Sequence, residues 1–153
     1  MVIACNTAHL LLPQLQQEFG DVFVSLIAAT VSELKKRNIK VCGLLASPTT
    51  IKTKLYEQTL VGEGIRCVVP KPSEQLLVEE QIRSVISGQA CAPSDLAPLL
   101  SGMGTVGAEA TILGCTELSV LFEGAETKEL IDPLDLVVSR LLVNTGEGGA
   151  SGS

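Results

Sequence analysis

Two cysteines, at positions 5 and 115, lie in matching sequence frames. Cys5 ends the apolar run VIAC and is followed by Asn, Thr, Ala and His, while Cys115 ends ATILGC and is followed by Thr, Glu and Leu. Each frame predicts a strand that ends at the thiol and a helix that begins just after it. Free backbone N–H groups and the helix dipole favour a thiolate there, so we expect thiol pKa values nearer neutrality than the usual value of about 8.5. Such thiols could remove and deliver protons.

The other three cysteines do not share this arrangement. Cys42 and Cys67 lie in the middle of apolar runs, which is typical of small hydrophobic residues in a core. Cys91 lies in a predicted loop. The spacing of the five cysteines matches neither a zinc site nor a disulfide framework, which indicates free thiols in a reducing compartment.

The predicted elements that position the two cysteines alternate between strands and helices. Apolar runs predict strands at 2–5, 40–46, 65–70, 109–115 and 130–132, with 22–27 strand-like or extended. Helical patterns cover 8–19, 30–38, 50–60, 74–87, 94–106, 117–122 and 133–143. This order predicts an α/β fold, with a parallel sheet flanked by helices. Because parallel strands present their loops at their carboxyl ends, Cys5, Cys115 and the turn at 47–50 should share one edge.

Composition narrows the class of protein. The chain has 153 residues, of which 46% are hydrophobic and 3% aromatic, so it can bury a core built from aliphatic side chains. A net charge of −6 without a basic stripe predicts no nucleic-acid partner. We find neither an apolar run long enough to span a membrane nor a signal peptide, so we predict no membrane partner and a cytoplasmic location.

Several motifs together resemble one enzyme family. CNTAH (5–9) and LGCTEL (113–118), with LLASPTTIKTKLYEQTL (44–60), RCVVPKPSEQ (66–75) and IDP (131–133), are similar to segments of the aspartate/glutamate racemase family. The resemblance implies an amino-acid racemase that uses no pyridoxal phosphate or other cofactor. It also implies two pseudo-symmetric lobes that each supply one cysteine. One catalytic cysteine would remove the α-proton as a thiolate, and the other would deliver a proton to the opposite face as a thiol.

The resemblance also assigns roles to neighbouring residues. Those implied to bind substrate are Asn6, Thr7, Ser47, Thr50, Thr116 and Glu117. Glu117 is implied to orient or deprotonate Cys115, and it favours aspartate as the substrate, with glutamate second. Helix capping by the threonines and an ordinary first-turn acid at Glu117 are the alternatives. For His9 we expect a packed or capping role.

The chain also differs from the family, whose members carry a strand, a glycine-rich turn and helices before the first cysteine. We therefore predict that residues 1–21 are a remnant of the first lobe, 22–115 a nearly complete second lobe, 116–143 a return to the first lobe and 144–153 a flexible tail. With part of the first lobe missing, the cleft would be open on one side, so this chain should racemise poorly.

The alternatives to a racemase are a ligand-binding module derived from a racemase and a thiol redox protein. Expected partners are a small amino acid and a second copy in a homodimer.

Overall fold

The computed structural model describes residues 1–20, 22–125 and 129–146. These residues form a four-stranded, wholly parallel sheet in the order β2-β1-β3-β4. The strands are β1 (Val41–Ala46), β2 (Arg66–Val68), β3 (Ala110–Gly114) and β4 (Leu130–Ile131). The predicted α/β class is confirmed.

Helices connect the strands and cover both faces of the sheet. They are α1 (Leu12–Phe19), α2 (Leu26–Lys36), α3 (Pro48–Lys52), α4 (Glu57–Gly62), α5 (Pro72–Ser87), α6 (Ala97–Thr105), α7 (Thr116–Leu121) and α8 (Pro133–Gly146). Short 3₁₀ turns at Thr7–Leu11 and Pro93–Leu96 precede α1 and α6. No helix within the described ranges is both long and apolar enough to cross a bilayer.

The central strands divide their side chains between two cores. In β1, Cys42 and Leu44 point into a cluster formed with α2 and α4, whereas Leu45 belongs to the opposite cluster with α5, α6 and α7. In β3, Ile112 and Leu113 divide in the same way. Alternation of this kind follows from the period of two along a strand, and burial on both faces explains why both strands are continuous apolar runs.

The predicted first strand at 2–5 is wrong. Val2 makes a single parallel bridge to Val24, and the residues that follow are irregular up to the turn at Thr7. An apolar run becomes a strand only where a neighbour supplies a ladder, and Val24 supplies one contact. For 22–27 the strand alternative fails for the same reason, while the extended alternative holds up to Ser25, since α2 begins at Leu26. Ser25 instead caps α2 by accepting a hydrogen bond from the Ala28 N–H at 3.2 Å.

Other differences concern where helices begin and end. The helix predicted at 50–60 is two helices, α3 and α4, since Lys54 takes a left-handed conformation at φ 53°. Helix α5 ends at Gly88 in the left-handed region, as its sequence predicts. Helix α8 continues to Gly146, beyond the predicted end at 143, and residues 147–153 of the predicted tail lie outside the described residues.

Gly114 allows β3 to lie close to β1 where the two strands end. A Cβ atom at this position would come within 2.9 Å of the Ala46 Cβ and of a Leu44 methyl, and within 3.2 Å of the Leu45 carbonyl oxygen. Ala46 Cβ and the Leu45 carbonyl belong to a buried strand that cannot move independently. The absence of a side chain at Gly114 therefore sets the separation of the two loops that follow.

Replacing Gly114 by Ala should therefore destabilise the protein by about 1–3 kcal/mol, because overpacking forces the backbone of β1 to shift. Chemical denaturation measures the change. Gly102→Ala is the matched control: it lies in α6 with open space around its Cα, so it should be neutral or slightly stabilising. Equal stabilities for the two variants would contradict the close contact.

Candidate functional site

The carboxyl ends of β1 and β3 and the segment before the first 3₁₀ turn meet around one pocket of about 250 Å³. Its lining residues are Cys5, Asn6, Thr7, Ser47, Ile82, Ile86, Gly114, Cys115, Thr116 and Glu117. The two cysteines of the matching frames therefore line one shared cavity. Cys5 is exposed, whereas Cys115 is partly buried.

All the predicted site residues line this pocket except Thr50, which is fully buried and lies against two of them. The hydroxyls of Thr7, Ser47 and Thr50 form a triangle, with oxygen separations of 3.2 Å for Thr7–Ser47, 3.0 Å for Thr7–Thr50 and 3.1 Å for Ser47–Thr50. Ser47 also caps α3 by accepting a hydrogen bond from the Thr50 N–H at 3.3 Å. The cap of α3 is therefore Ser47 and not one of the threonines for which capping was the alternative, and within the described residues neither the first 3₁₀ turn nor α7 has a side-chain cap.

The side chain of Asn6 is positioned by a hydrogen bond from Tyr56. The Tyr56 hydroxyl donates a hydrogen bond to the Asn6 Oδ1, and both side chains are buried. Since this bond uses the amide oxygen, it leaves the amide nitrogen of Asn6 as the donor available to the pocket. Burial raises the pKa of Tyr56 far above its usual range, so this phenol stays protonated. Tyr56 is a site residue that the sequence interpretation did not single out.

Cys115 and Glu117 are hydrogen-bonded to each other in the pocket. The Cys115 thiol donates to the Glu117 Oε2 at 2.8 Å, and the Thr116 hydroxyl donates to the same oxygen at 3.2 Å. Partial burial of the Glu117 carboxyl opposes ionisation. The hydrogen bonds from Cys115, from its own backbone and from Thr116 outweigh that effect, so the pKa of Glu117 is lowered. Glu117 is therefore an anion that accepts a hydrogen bond from the thiol, and the proton stays on the Cys115 sulfur.

The same contacts act on Cys115 in the opposite direction. Burial, followed by the hydrogen bond and the negative charge of Glu117, raises the pKa of Cys115 to about 12. This outcome corrects the expectation that the following helix would bring this thiol toward neutrality. Helix α7 has only six residues, and its dipole does not outweigh a carboxylate in direct contact. At neutral pH the resting state of Cys115 is the thiol.

His9 is a structural anchor. The Leu26 N–H can only donate, so the His9 Nε2 accepts from it at 3.0 Å. The proton then lies on Nδ1, which donates to the Cys5 carbonyl oxygen at 2.9 Å. Both ring nitrogens are occupied and the side chain is buried, which matches the expected packed role.

Ile82 and Ile86 form the apolar wall of the pocket and were also missed by the sequence interpretation. They lie four residues apart on α5 and so share one face of that helix. The periodicity was visible in the sequence, but nothing in it showed that this face reaches the cysteines. Larger cavities of about 700 and 910 Å³ lie around β4 and contain neither thiol.

Comparison with known proteins identifies the family to which this chain belongs. The family model for Asp/Glu/Hydantoin racemase matches residues 1–141. A glutamate racemase from Shewanella woodyi is 34% identical over 125 residues, which cover 79% of this chain and 46% of that protein. The chain therefore spans about half the length of this relative.

Two solved structures share the fold. An aspartate racemase homologue from Pyrococcus horikoshii has a TM-score of 0.79 and 28% identity, covering 95% of this chain and 66% of that chain. An aspartate racemase from Picrophilus torridus has a TM-score of 0.76 and 27% identity, covering 95% of this chain and 61% of that chain. Both align with the chain through nearly all of its length.

Substituting Glu117→Gln should lower the pKa of Cys115, because it removes the negative charge that disfavours the thiolate. Burial remains, so the pKa should stay above the usual thiol range. The measurement is the pH dependence of Cys115 alkylation, followed by mass spectrometry of its peptide, with Cys91 as the internal reference. A Cys115 titration that is unchanged or moves upward would show that Glu117 does not keep the proton on the Cys115 sulfur.

Substituting Tyr56→Phe should cost about 1–3 kcal/mol of stability, since it leaves the buried Asn6 amide oxygen without a donor. Chemical denaturation measures the loss. Thr53→Val serves as a control because its hydroxyl bonds to the Thr49 carbonyl at an exposed position, and it should change stability by less than about 0.5 kcal/mol. A neutral Tyr56→Phe would mean that Asn6 finds another donor.

Proposed function

The chain belongs to the Asp/Glu/hydantoin racemase family, and from this membership we propose that it is a racemase using Cys5 and Cys115 as opposed acid and base. The observation that carries the proposal is the shared pocket, which both thiols line together with polar side chains that suit a carboxylate. A stereocentre bearing a carboxylate can be inverted there without a cofactor.

The chemistry explains why two thiols are required. A base removes the α-proton, the carbon becomes planar, and an acid on the opposite face adds a proton to give the mirror-image product. A single base would require the planar intermediate to turn over within the site. Two groups on opposite faces avoid that step, and they exchange roles in the reverse direction.

The proposal assigns the two cysteines different roles at the start of the reaction. Cys115 is protonated at rest and bonded to Glu117, so it is the acid when the reaction starts. Cys5, which is exposed, is assigned the complementary role of base. In the reverse direction Cys115, which has given its proton to the substrate, is the base, and Cys5, which has taken the α-proton, is the acid. Glu117 contacts Cys115 through the hydrogen bond. Glu117 then acts on the thiol rather than on the side chain of the substrate.

The α-carboxylate is bound by neutral donors. The residues Asn6, Thr7, Ser47 and Thr116 line the pocket. Each hydroxyl has one proton, so Thr116 can donate to a carboxylate only by releasing Glu117, and Thr7 or Ser47 only by giving up a bond within their triangle. Because the charge of the deprotonated carbon spreads into the carboxylate, the same donors stabilise the transition state. Thr50 does not line the pocket, but its hydroxyl is hydrogen-bonded to those of Thr7 and Ser47 and so helps to position them.

Family membership supports an amino acid as the substrate, without specifying its side chain. Aspartate is the first candidate from the sequence, because of Glu117, and glutamate the second. The engagement of Glu117 by the Cys115 thiol removes it as direct evidence for either acid, so the side-chain preference has to be judged from the other walls of the pocket.

A second candidate function keeps the ligand but not the chemistry. The high pKa of Cys115 favours a module that binds an amino acid in the pocket without racemising it. Such a protein would be stabilised by its ligand in proportion to occupancy and would leave the α-hydrogen in place.

The proposal is tested by following the α-hydrogen NMR signal of amino acids incubated with the protein in deuterated water. In keeping with the poor racemisation predicted from the sequence, we expect slow exchange that requires both thiols, so Cys5→Ala and Cys115→Ala should each abolish interconversion of the enantiomers. Cys91→Ala is the matched control and should exchange normally. Either site variant racemising in both directions at the unmodified rate would exclude the two-thiol scheme, and ligand stabilisation without exchange would favour the binding module.

A further inference from the structure

The pocket between the two thiols has chemically different walls. The polar side chains come from the segment after Cys5 and from the loops after β1 and β3, whereas α5 contributes only Ile82 and Ile86. Ile82 is buried, and Ile86 is 68% exposed at the mouth. A carboxylate held by the polar wall and an α-carbon between the sulfurs would direct another substituent of that carbon toward α5.

The charge of the lining is unsuited to a second carboxylate. Among the described residues that line the pocket none is cationic, and the one ionised side chain is Glu117. An acidic substrate side chain would bring another negative charge into a partly buried space beside this anion. Removing a charge from water without a partner is costly, and like charges raise that cost.

Arg83 is the cation nearest to this wall along the helix. It follows Ile82 on α5 and shares a helix face with Ile86 and Glu79 through three- and four-residue spacing. Its guanidinium is paired with the Glu79 carboxylate, and its side chain is 72% exposed. To bind a substrate it would have to leave this partner and turn inward, so its resting position does not serve the pocket.

We propose that this pocket selects α-amino acids with an uncharged aliphatic side chain, which packs against Ile82 and Ile86, over aspartate and glutamate. The inference rests on the proposed racemase function and specifies the substrate class of the same site. A cavity of about 250 Å³ lies below the usual range for drug-sized ligands, which suits a single small amino acid. Contact with two isoleucines then supplies the selectivity through burial of apolar surface.

Protection of Cys5 from alkylation tests this preference without requiring catalysis. Cys5 is exposed and lines the pocket, so an amino acid bound there should slow its reaction with iodoacetamide. Mass spectrometry of the Cys5 peptide gives the rate, and Cys91, which is not part of the pocket lining, is the internal reference. We expect leucine to protect at lower concentrations than aspartate or glutamate.

Three variants localise the effect. Ile86→Asn should raise the half-protecting concentration of leucine about five-fold, since the variant replaces an apolar contact by a polar one. Leu76→Asn is the matched control, because Leu76 is on the same helix, is 66% exposed and does not line the pocket. It should leave protection by leucine unchanged. Arg83→Gln should leave protection by leucine, aspartate and glutamate unchanged.

The outcomes separate this inference from the function on which it rests. Stronger protection by aspartate or glutamate, or loss of that protection in Arg83→Gln, would overturn the aliphatic preference while the two-thiol function stands. Leucine protection that is equally strong in Ile86→Asn would also overturn it. If none of the amino acids protects Cys5 or exchanges its α-hydrogen, the proposed function itself fails.

Discussion

The site depends on the parallel pairing of β1 with β3. Their register places Ala46 opposite Gly114, so the residues that follow, Ser47 and Cys115, leave the sheet side by side. The close approach needs a residue without a side chain at position 114, where a Cβ would press on β1 from 2.9 Å. The sheet is buried between separate apolar cores on its two faces. It thereby fixes the distance between Cys115 and the turn that carries the Ser47 and Thr50 hydroxyls, here called the hydroxyl turn.

Electrostatics inside the pocket are dominated by one anion. Glu117 is stabilised as a carboxylate by the very thiol whose ionisation it disfavours, so the pair shares one proton that rests on sulfur. This arrangement makes the two cysteines unequal before any ligand arrives. An arriving carboxylate would meet neutral donors on the polar wall and this anion at its side. In the proposed substrate preference, the same charge that keeps Cys115 protonated also disfavours acidic substrates.

Much of the fold was predictable because its signals are local. The continuous apolar runs of β1 and β3, the stop at Gly88 and the frame around Cys115 each reflect a few neighbouring residues. VIAC failed as a strand because strand formation depends on a partner that lies elsewhere in the chain. The bond from Tyr56 and the wall from α5 were missed for the same reason, since both reach the pocket across long sequence separations that no pattern encodes. The pKa of Cys115 was misjudged because burial and one neighbouring carboxylate outweigh a short helix.

The two thiols are held by different kinds of structure. Cys115 follows a buried strand, so its backbone has the stability of the core. Cys5 has no ladder beside it and is positioned through its neighbours: Asn6 bonds to Tyr56, Thr7 bonds to the hydroxyl turn, and His9 joins the Cys5 carbonyl to the start of α2. Each of these bonds is a polar contact that a competing ligand can break, whereas a strand yields only when the sheet opens. The backbone position of Cys5 therefore depends on this side-chain network, and that of Cys115 on the sheet.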